Sequence, residues 1–264
     1  DLNRERSCPS ELSGIYAETQ RGHHPGTVAA NVNASVSAGL VLMAGSALLL
    51  ASCPSVSWRA YFIPAVPMAL LLLLVISVVR MPAAGSSAHP NTTSWPMAIA
   101  GFLIVGSEAV LLGMIPAVSA AMTGYMFAGE GYAFMLMMGV LVGHIGGSRL
   151  IKKMGAARVL MVSAGSIFAF GLLWSFLSIA APVWVFMLGL STANLFPGLI
   201  AYVAERRPEA AAATVAAAGW TGGLGGVALH LMAGFFADIG LPARSTSLFL
   251  NAPVAAAVLL LRPK

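Results

Sequence analysis

Glu108 is the ionisable side chain of this sequence most clearly surrounded by apolar neighbours. It lies near the middle of the apolar stretch 96–122. An ionised carboxylate at membrane depth is costly unless it faces water or a partner, so it normally has a functional role. We therefore expect Glu108 to hydrogen-bond a substrate. Proton coupling through Glu108, or a protonated carboxyl group bonded to a neighbouring helix, are the alternatives.

Two asparagines and one tryptophan in other apolar stretches are further candidates for substrate binding. Asn194 lies near the middle of the stretch 182–204 and precedes Pro197, which can kink a helix because it lacks a backbone donor. We expect Asn194 and Asn33 to line a cavity, with hydrogen bonding between helices as the alternative. Trp220 is a candidate because an indole ring stacks on a sugar ring, the alternative being simple packing.

The sequence lacks the residue patterns of the common enzyme and metal sites. It has no zinc signature, no nucleophile elbow and no pair of carboxylates, and the glycines in 219–226 lack the spacing of a nucleotide-binding loop. Close helix packing or a flexible hinge explains them better, since Gly222 and Gly226 lie on one helix face. We therefore expect no enzyme activity, no cofactor and no metal.

The elements that position these residues must be membrane-spanning helices. Of the 264 residues, 58% are hydrophobic and 9% are charged, which leaves too few polar side chains to cover a water-soluble protein. Apolar stretches of about 20 residues, the length that crosses a bilayer as a helix, recur along the chain. We predict an all-α polytopic membrane protein with eight transmembrane helices, at residues 27–51, 61–79, 96–122, 127–148, 157–179, 182–204, 210–238 and 246–262.

The basic residues predict the orientation of these eight helices. With both ends in the cytoplasm, every Lys and Arg except Arg59 and Arg244 lies on the cytoplasmic side, as the positive-inside rule requires. The polar segment 1–26 and a linker at 81–95 are then cytoplasmic. The net charge of +5 is explained by topology and anionic lipid, so we expect a multi-pass protein of the cell membrane whose partners include no nucleic acid.

One glycine-rich and basic stretch resembles a known family. Residues 143–155 resemble the cytoplasmic loop of the major facilitator superfamily, in the form seen in fucose-permease-like sugar transporters, with His144 in place of the family's arginine. Residues 102–108, 195–200 and 57–59 resemble three further regions of the family, in the same order along the chain.

The resemblance implies a partial major facilitator fold. The eight helices would be helices five to twelve of the family, and the first four helices would be absent. Residues 27–80 would be the last two helices of the N-terminal half. Residues 96–264 would be the complete C-terminal half, with six helices.

The resemblance also implies a function. It predicts a secondary active transporter of a sugar or another small polar metabolite, with protons as the coupling ion and alternating access between two halves. Drug or metabolite efflux is one alternative, and a truncated non-functional membrane fragment is the other. Five residues of the loop are expected to control contacts at the cytoplasmic face: Gly143, Gly147, Arg149, Lys152 and Lys153.

Overall fold

A computed structural model describes residues 25–51, 95–123, 126–177, 180–206 and 211–240, together with residues 70 and 254. These ranges are α-helical apart from short turns. Within them the helices are α1 (Pro25–Ala51), α2 (Trp95–Thr123), α3 (Met126–Met154), α4 (Ala156–Phe176), α5 (Ala181–Thr192), α6 (Leu195–Arg206) and α7 (Ala211–Asp238).

The observed helices match six of the eight predicted spans, with α5 and α6 together forming one of them. The predicted spans 61–79 and 246–262 fall almost entirely outside the described residues, as do the segment 1–26 and the linker 81–95. The count of eight and the division into halves therefore stay predictions. Among the described residues, four segments are long and apolar enough to cross a bilayer: Ala98–Ser119, Gly129–Met154, Ala156–Phe176 and Ala181–Arg206.

The predicted cytoplasmic loop after Ser148 is instead helical. Helix α3 continues to Met154 and carries Lys152 and Lys153 in its last turn, where positive charge is favourable beside the helix dipole. The connection to α4 is the single residue Gly155, whose φ of 79° is a conformation that favours glycine. The prediction of a loop was wrong because Arg, Leu, Ile and Lys are all good or acceptable helix formers.

The break between α5 and α6 lies where the sequence predicts a kink. Pro197 has no N–H to donate to the carbonyl of Ala193, and its ring crowds that carbonyl. The helical pattern is interrupted at Ala193 and Asn194. It resumes with a bond from the Gly198 N–H to the Asn194 carbonyl of 3.0 Å.

Helices α2 and α7 pack closely through small residues, as the glycines of 219–226 predict. A methyl group added to Gly106 would lie 2.7 Å from the carbonyl carbon of Gly225, and one added to Gly101 would lie 2.5 Å from the Ala218 Cα. Without such small residues the two backbones could not come this close. The Thr221 hydroxyl also donates to the Ala98 carbonyl across this interface, at 2.9 Å.

A second set of contacts joins α3 to α1, α4, α5 and α6. Gly139 of α3 and Gly189 of α5 each lie against a backbone carbonyl of the other helix, those of Phe186 and Leu136 respectively. Helix α1 packs along α3 and also contacts α6. The middle of α3 is therefore enclosed by other helices, and this enclosed region contains the candidate site.

Candidate functional site

A buried hydrogen bond joins α1 to α3. The Ser37 Oγ lies 2.7 Å from the His144 Nδ1, and the two residues are 2% and 5% exposed. His144 is ten residues before Met154, in the middle third of the span Gly129–Met154. Polar side chains at this depth need partners because lipid offers none.

The same imidazole reaches the break between α5 and α6. It hydrogen-bonds to the backbone of Ala193, the residue four positions before Pro197. Since Pro197 cannot donate a helical hydrogen bond, the Ala193 carbonyl is free to accept one from a side chain. Thus Pro197 both interrupts the helix and supplies a partner for His144.

Asn194 lies beside this contact and is 6% exposed. Its Nδ2 donates to the Leu190 carbonyl at 3.3 Å, whereas its Oδ1 has no hydrogen-bond partner among the described residues. A methyl group on Gly147 would collide with this Oδ1. A buried acceptor without a partner is destabilising and calls for an explanation, such as a bound solute or water.

Two further predicted residues border the same place. A methyl group on Gly143 would lie 2.6 Å from the Ala193 Cβ and 2.7 Å from the Leu190 carbonyl oxygen, so glycine lets α3 approach the break. The Asn33 carbonyl accepts a 2.8 Å hydrogen bond from the Ser37 hydroxyl. The Asn33 side chain itself is half-buried. Gly143 and Asn33 border what we call the polar cluster, which consists of Ser37, His144, Gly147, Ala193 and Asn194.

Glu108 lies at middle depth on α2. It is ten residues from Ala98 and eleven from Ser119, the ends of its apolar span, and is half-buried. The preceding Ser107 is fully buried, and its Oγ has no hydrogen-bond partner among the described residues. Helix α2 therefore carries a second place where polar atoms are held in an apolar setting.

The remaining predicted residues lie on exposed surfaces. Trp220 is 76% exposed on α7, and no described contact brings it to the polar cluster. Arg149, Lys152 and Lys153 are exposed along the last turns of α3. Exposed basic side chains at a helix end suit the membrane–water interface.

An open apolar cavity of about 510 Å³ lies between α1 and α3, and two of its lining residues, Leu42 and Leu49, are largely exposed. It is lined by the α1 stretch from Val41 to Leu49 and by Phe134 of α3. Ser46 is the only polar side chain among the described lining residues. Its hydroxyl bonds to the backbone of its own helix, so the cavity offers a solute almost no hydrogen-bonding groups.

The structure thus brings together four of the predicted residues and adds two that the sequence analysis did not select. Asn194, Gly143, Gly147 and the backbone of Asn33 lie around His144. The sequence did contain a signal for His144, because an ionisable side chain within an apolar stretch rarely lacks a role. Ser37 carried no signal, since a serine in an apolar helix commonly bonds to its own backbone.

Comparisons with known proteins show the fold. The chain is similar in structure to the fucose:proton symporter FucP of E. coli, with a TM-score of 0.60 and 18% sequence identity over 77% of this chain and 54% of that one. A second structure, described as a major facilitator superfamily transporter, FucP, in the outward conformation, matches with a TM-score of 0.59 and 17% identity over the same shares. The chain spans about half the length of these proteins.

At such low identity the likeness establishes the fold and leaves the activity open. The fold is similar to about half of FucP, whose second structure is described as a major facilitator superfamily transporter, and this is the fold that the resemblance of the short motifs predicts. No protein-family model matches the sequence, and a search of curated proteins finds no relative.

Proposed function

We propose that this chain is part of a secondary active transporter of the major facilitator superfamily. The observation that carries the proposal is the buried polar cluster at mid-membrane depth, within a helix arrangement similar to that of FucP. In such transporters the substrate site lies near the bilayer midplane, between two groups of helices that rock against each other. Asn194 occupies this depth, and its unpartnered Oδ1 is suited to accept a hydrogen bond from a solute.

A small polar metabolite such as a sugar is the proposed substrate, with protons as the coupling ion. The printed description of the E. coli protein as a fucose:proton symporter supports this substrate class. So do the amide of Asn194 and the carboxyl group of Glu108, since sugar hydroxyls bond readily to both groups. Glu108 is proposed to hydrogen-bond the substrate, and the lipid bilayer of the cell membrane is the proposed setting.

The test is uptake of a panel of radiolabelled monosaccharides into proteoliposomes with an imposed proton gradient. The wild-type chain, any longer product of its gene, and the Glu108→Gln variant of each would be compared. We expect Glu108→Gln to lower uptake about tenfold, which corresponds to about 1.4 kcal/mol of lost binding. Asp238→Asn is the matched control, because it also neutralises a carboxylate, but at the exposed end of α7.

Equal uptake by Glu108→Gln and Asp238→Asn would remove Glu108 from the proposed site. Absence of uptake from both the chain and the longer product, despite correct insertion, would contradict the proposal of a sugar transporter.

Efflux of an apolar solute is the second candidate function. It is favoured by the cavity between α1 and α3, which suits an apolar molecule because Ser46 supplies its only polar side chain among the described lining residues. Energy-dependent extrusion of a fluorescent lipophilic cation, slowed by Gly45→Phe in the cavity wall, would support efflux. Uptake of a monosaccharide that is unaffected by this substitution would support the first candidate.

A further inference from the structure

Among the described contacts between α1 and α3, the Ser37–His144 hydrogen bond stands out because it is polar, buried and long-range. The two residues are 107 positions apart in the sequence. The neighbouring part of the α1–α3 interface is the apolar cavity. A single polar contact within an apolar interface favours one alignment of the two helices, because sliding either helix would break it.

His144 of α3 can bond to α1 and to the α5–α6 break at the same time, because its ring has two nitrogen atoms. A neutral imidazole has one N–H donor and one nitrogen acceptor. The Ala193 carbonyl can only accept, so the ring nitrogen facing it carries the hydrogen. In the tautomer that carries its hydrogen on Nε2, Nδ1 accepts from the Ser37 hydroxyl, 2.7 Å away, in place of the hydroxyl's bond to the Asn33 carbonyl. Nε2–H is then the donor left for the Ala193 backbone. This arrangement links α1, through α3, to the break between α5 and α6.

The contact can also break with the loss of a single partner, the donor to the His144 Nδ1. The Ser37 hydroxyl has a single hydrogen but two acceptors within reach, the His144 Nδ1 at 2.7 Å and the Asn33 carbonyl at 2.8 Å. If α1 moves away, the hydroxyl rotates to the Asn33 carbonyl of its own helix and stays satisfied. His144 keeps its bond to Ala193. Neither helix is then left with a serine hydroxyl lacking an acceptor.

We propose that the Ser37–His144 hydrogen bond is a reversible latch that holds α1 against the α5–α6 break in one stage of the transport cycle. The latch deepens the proposed transport function, in which α1 and α3 belong to different halves of the protein. His144 is in this account a positioning residue that sets the separation of the two helix groups. Its release allows α1 to separate from α3 and open the region of Asn194.

The separation of α1 from the rest of the bundle can be measured directly by electron–electron distance spectroscopy in proteoliposomes. Spin labels at Met43 of α1 and Met161 of α4 suit this purpose, because both residues are exposed. Cys8→Ser and Cys53→Ser remove the native thiols of the 264-residue chain. The measured quantity is the ratio of long to short label distances.

We expect Ser37→Ala to raise the ratio of separated to joined states about threefold, the effect of losing an average hydrogen bond between membrane helices. Ser37→Thr, which keeps the hydroxyl, should restore the wild-type ratio. Ser46→Ala is the matched control on the same helix, since its hydroxyl bonds only to its own backbone and its loss should leave the ratio unchanged. Rescue by threonine would assign the effect to the hydroxyl group and not to side-chain volume.

The latch would be overturned if Ser37→Ala left the distance ratio unchanged, or if Ser46→Ala changed it as much. His144→Phe tests the same bond from the other side and should match Ser37→Ala. If His144→Phe does not fold, the Ser37 and Ser46 variants alone test the latch. The distances between the two spin labels can be measured without knowing the substrate. Failure of uptake alone would therefore contradict the proposed function, whereas unchanged distances would contradict the latch.

Discussion

The α2–α7 interface and the polar cluster differ in what lies opposite their glycines. At the α2–α7 interface Gly101, Gly106 and Gly225 face the backbone of the other helix, whereas Gly113 and Gly222 face the side chains of His230 and Val105. In the polar cluster the partner of Gly147 is the end of the Asn194 side chain. A side chain can rotate away, whereas the backbone of a packed helix moves only with the whole helix. The backbone contacts of Gly106 and Gly225 are therefore rigid, whereas the contact of Gly147 with Asn194 is able to adapt.

This difference indicates where motion and binding belong. The α2–α7 pair brings two helices into continuous close contact, which suits helices that move as one body. The polar cluster combines a helix break, a histidine with partners on two other elements and an amide oxygen without a described partner. Strained or unsatisfied groups of this kind collect at functional sites because the fold elsewhere stabilises them.

The largest effect is expected from a substitution at one of the rigid backbone contacts. The Cβ of Gly225→Ala would collide with the Phe102 carbonyl oxygen, so α2 and α7 must separate along their length. We expect the free energy of unfolding to fall by about 3 kcal/mol, the upper part of the usual range for overpacking. Reversible unfolding in mixed micelles, followed by far-ultraviolet circular dichroism, measures this loss.

The matched control for that experiment is Gly223→Ala on the same helix. Gly223 is exposed, and no described residue lies within 4 Å of the added methyl group. It should unfold like the wild type or slightly later, because alanine is the better helix former. Equal losses from Gly223→Ala and Gly225→Ala would show that helix propensity, and not close packing, sets the stability of α7.

A smaller effect is expected from Gly147→Ala in the polar cluster. The added methyl group occupies the place of the Asn194 Oδ1, but this side chain can turn aside. We expect a loss of about 1 kcal/mol, near the lower end for overpacking. In the same unfolding assay Gly146→Ala should be neutral, since no described residue lies within 4 Å of its methyl group.

A double-mutant cycle sharpens this prediction. Combining Gly147→Ala with Asn194→Ala removes both members of the collision, so the double variant should recover most of the loss caused by Gly147→Ala. Additive losses would mean that the two residues do not interact, and the described geometry of the cluster would be wrong.

The sequence was sufficient for the described helices and for the close packing of α7, but it did not identify α2 as the partner of α7. Apolar stretches of spanning length located the described helices, Pro197 predicted the break before α6, and the spacing of Gly222 and Gly226 predicted close packing. Each of these signals is local, because it depends on residues within a few turns of one helix. The extension of α3 to Met154 was missed because glycines and basic residues resemble a loop in composition.

The partnership of Ser37 and His144 could not be predicted from local patterns. It joins two helices that are distant in the sequence, and no rule of spacing relates them. The exposure of Trp220 could not be predicted from the sequence either, for a different reason. In a membrane the lipid-facing side of a helix is as apolar as its packed side, so the pattern of α7 does not reveal which face is covered.

The central claim is that the polar cluster serves transport, whereas a structural role would make Asn194 a link between helices. Asn194→Leu separates these roles, because it replaces the unpartnered Oδ1 with apolar atoms of similar volume. This oxygen makes no described hydrogen bond, and the substitution removes only the 3.3 Å bond from Nδ2 to the Leu190 carbonyl. The free energy of unfolding should therefore stay within about 1 kcal/mol of wild type. Uptake of the transported solute per folded molecule should fall about tenfold, or about 1.4 kcal/mol.

The most direct measurement is therefore unfolding and solute uptake on the same preparation of Asn194→Leu. Unchanged stability with lost uptake is the result that the account predicts. Lowered stability with unchanged uptake per folded molecule would contradict it and would make Asn194 a structural residue.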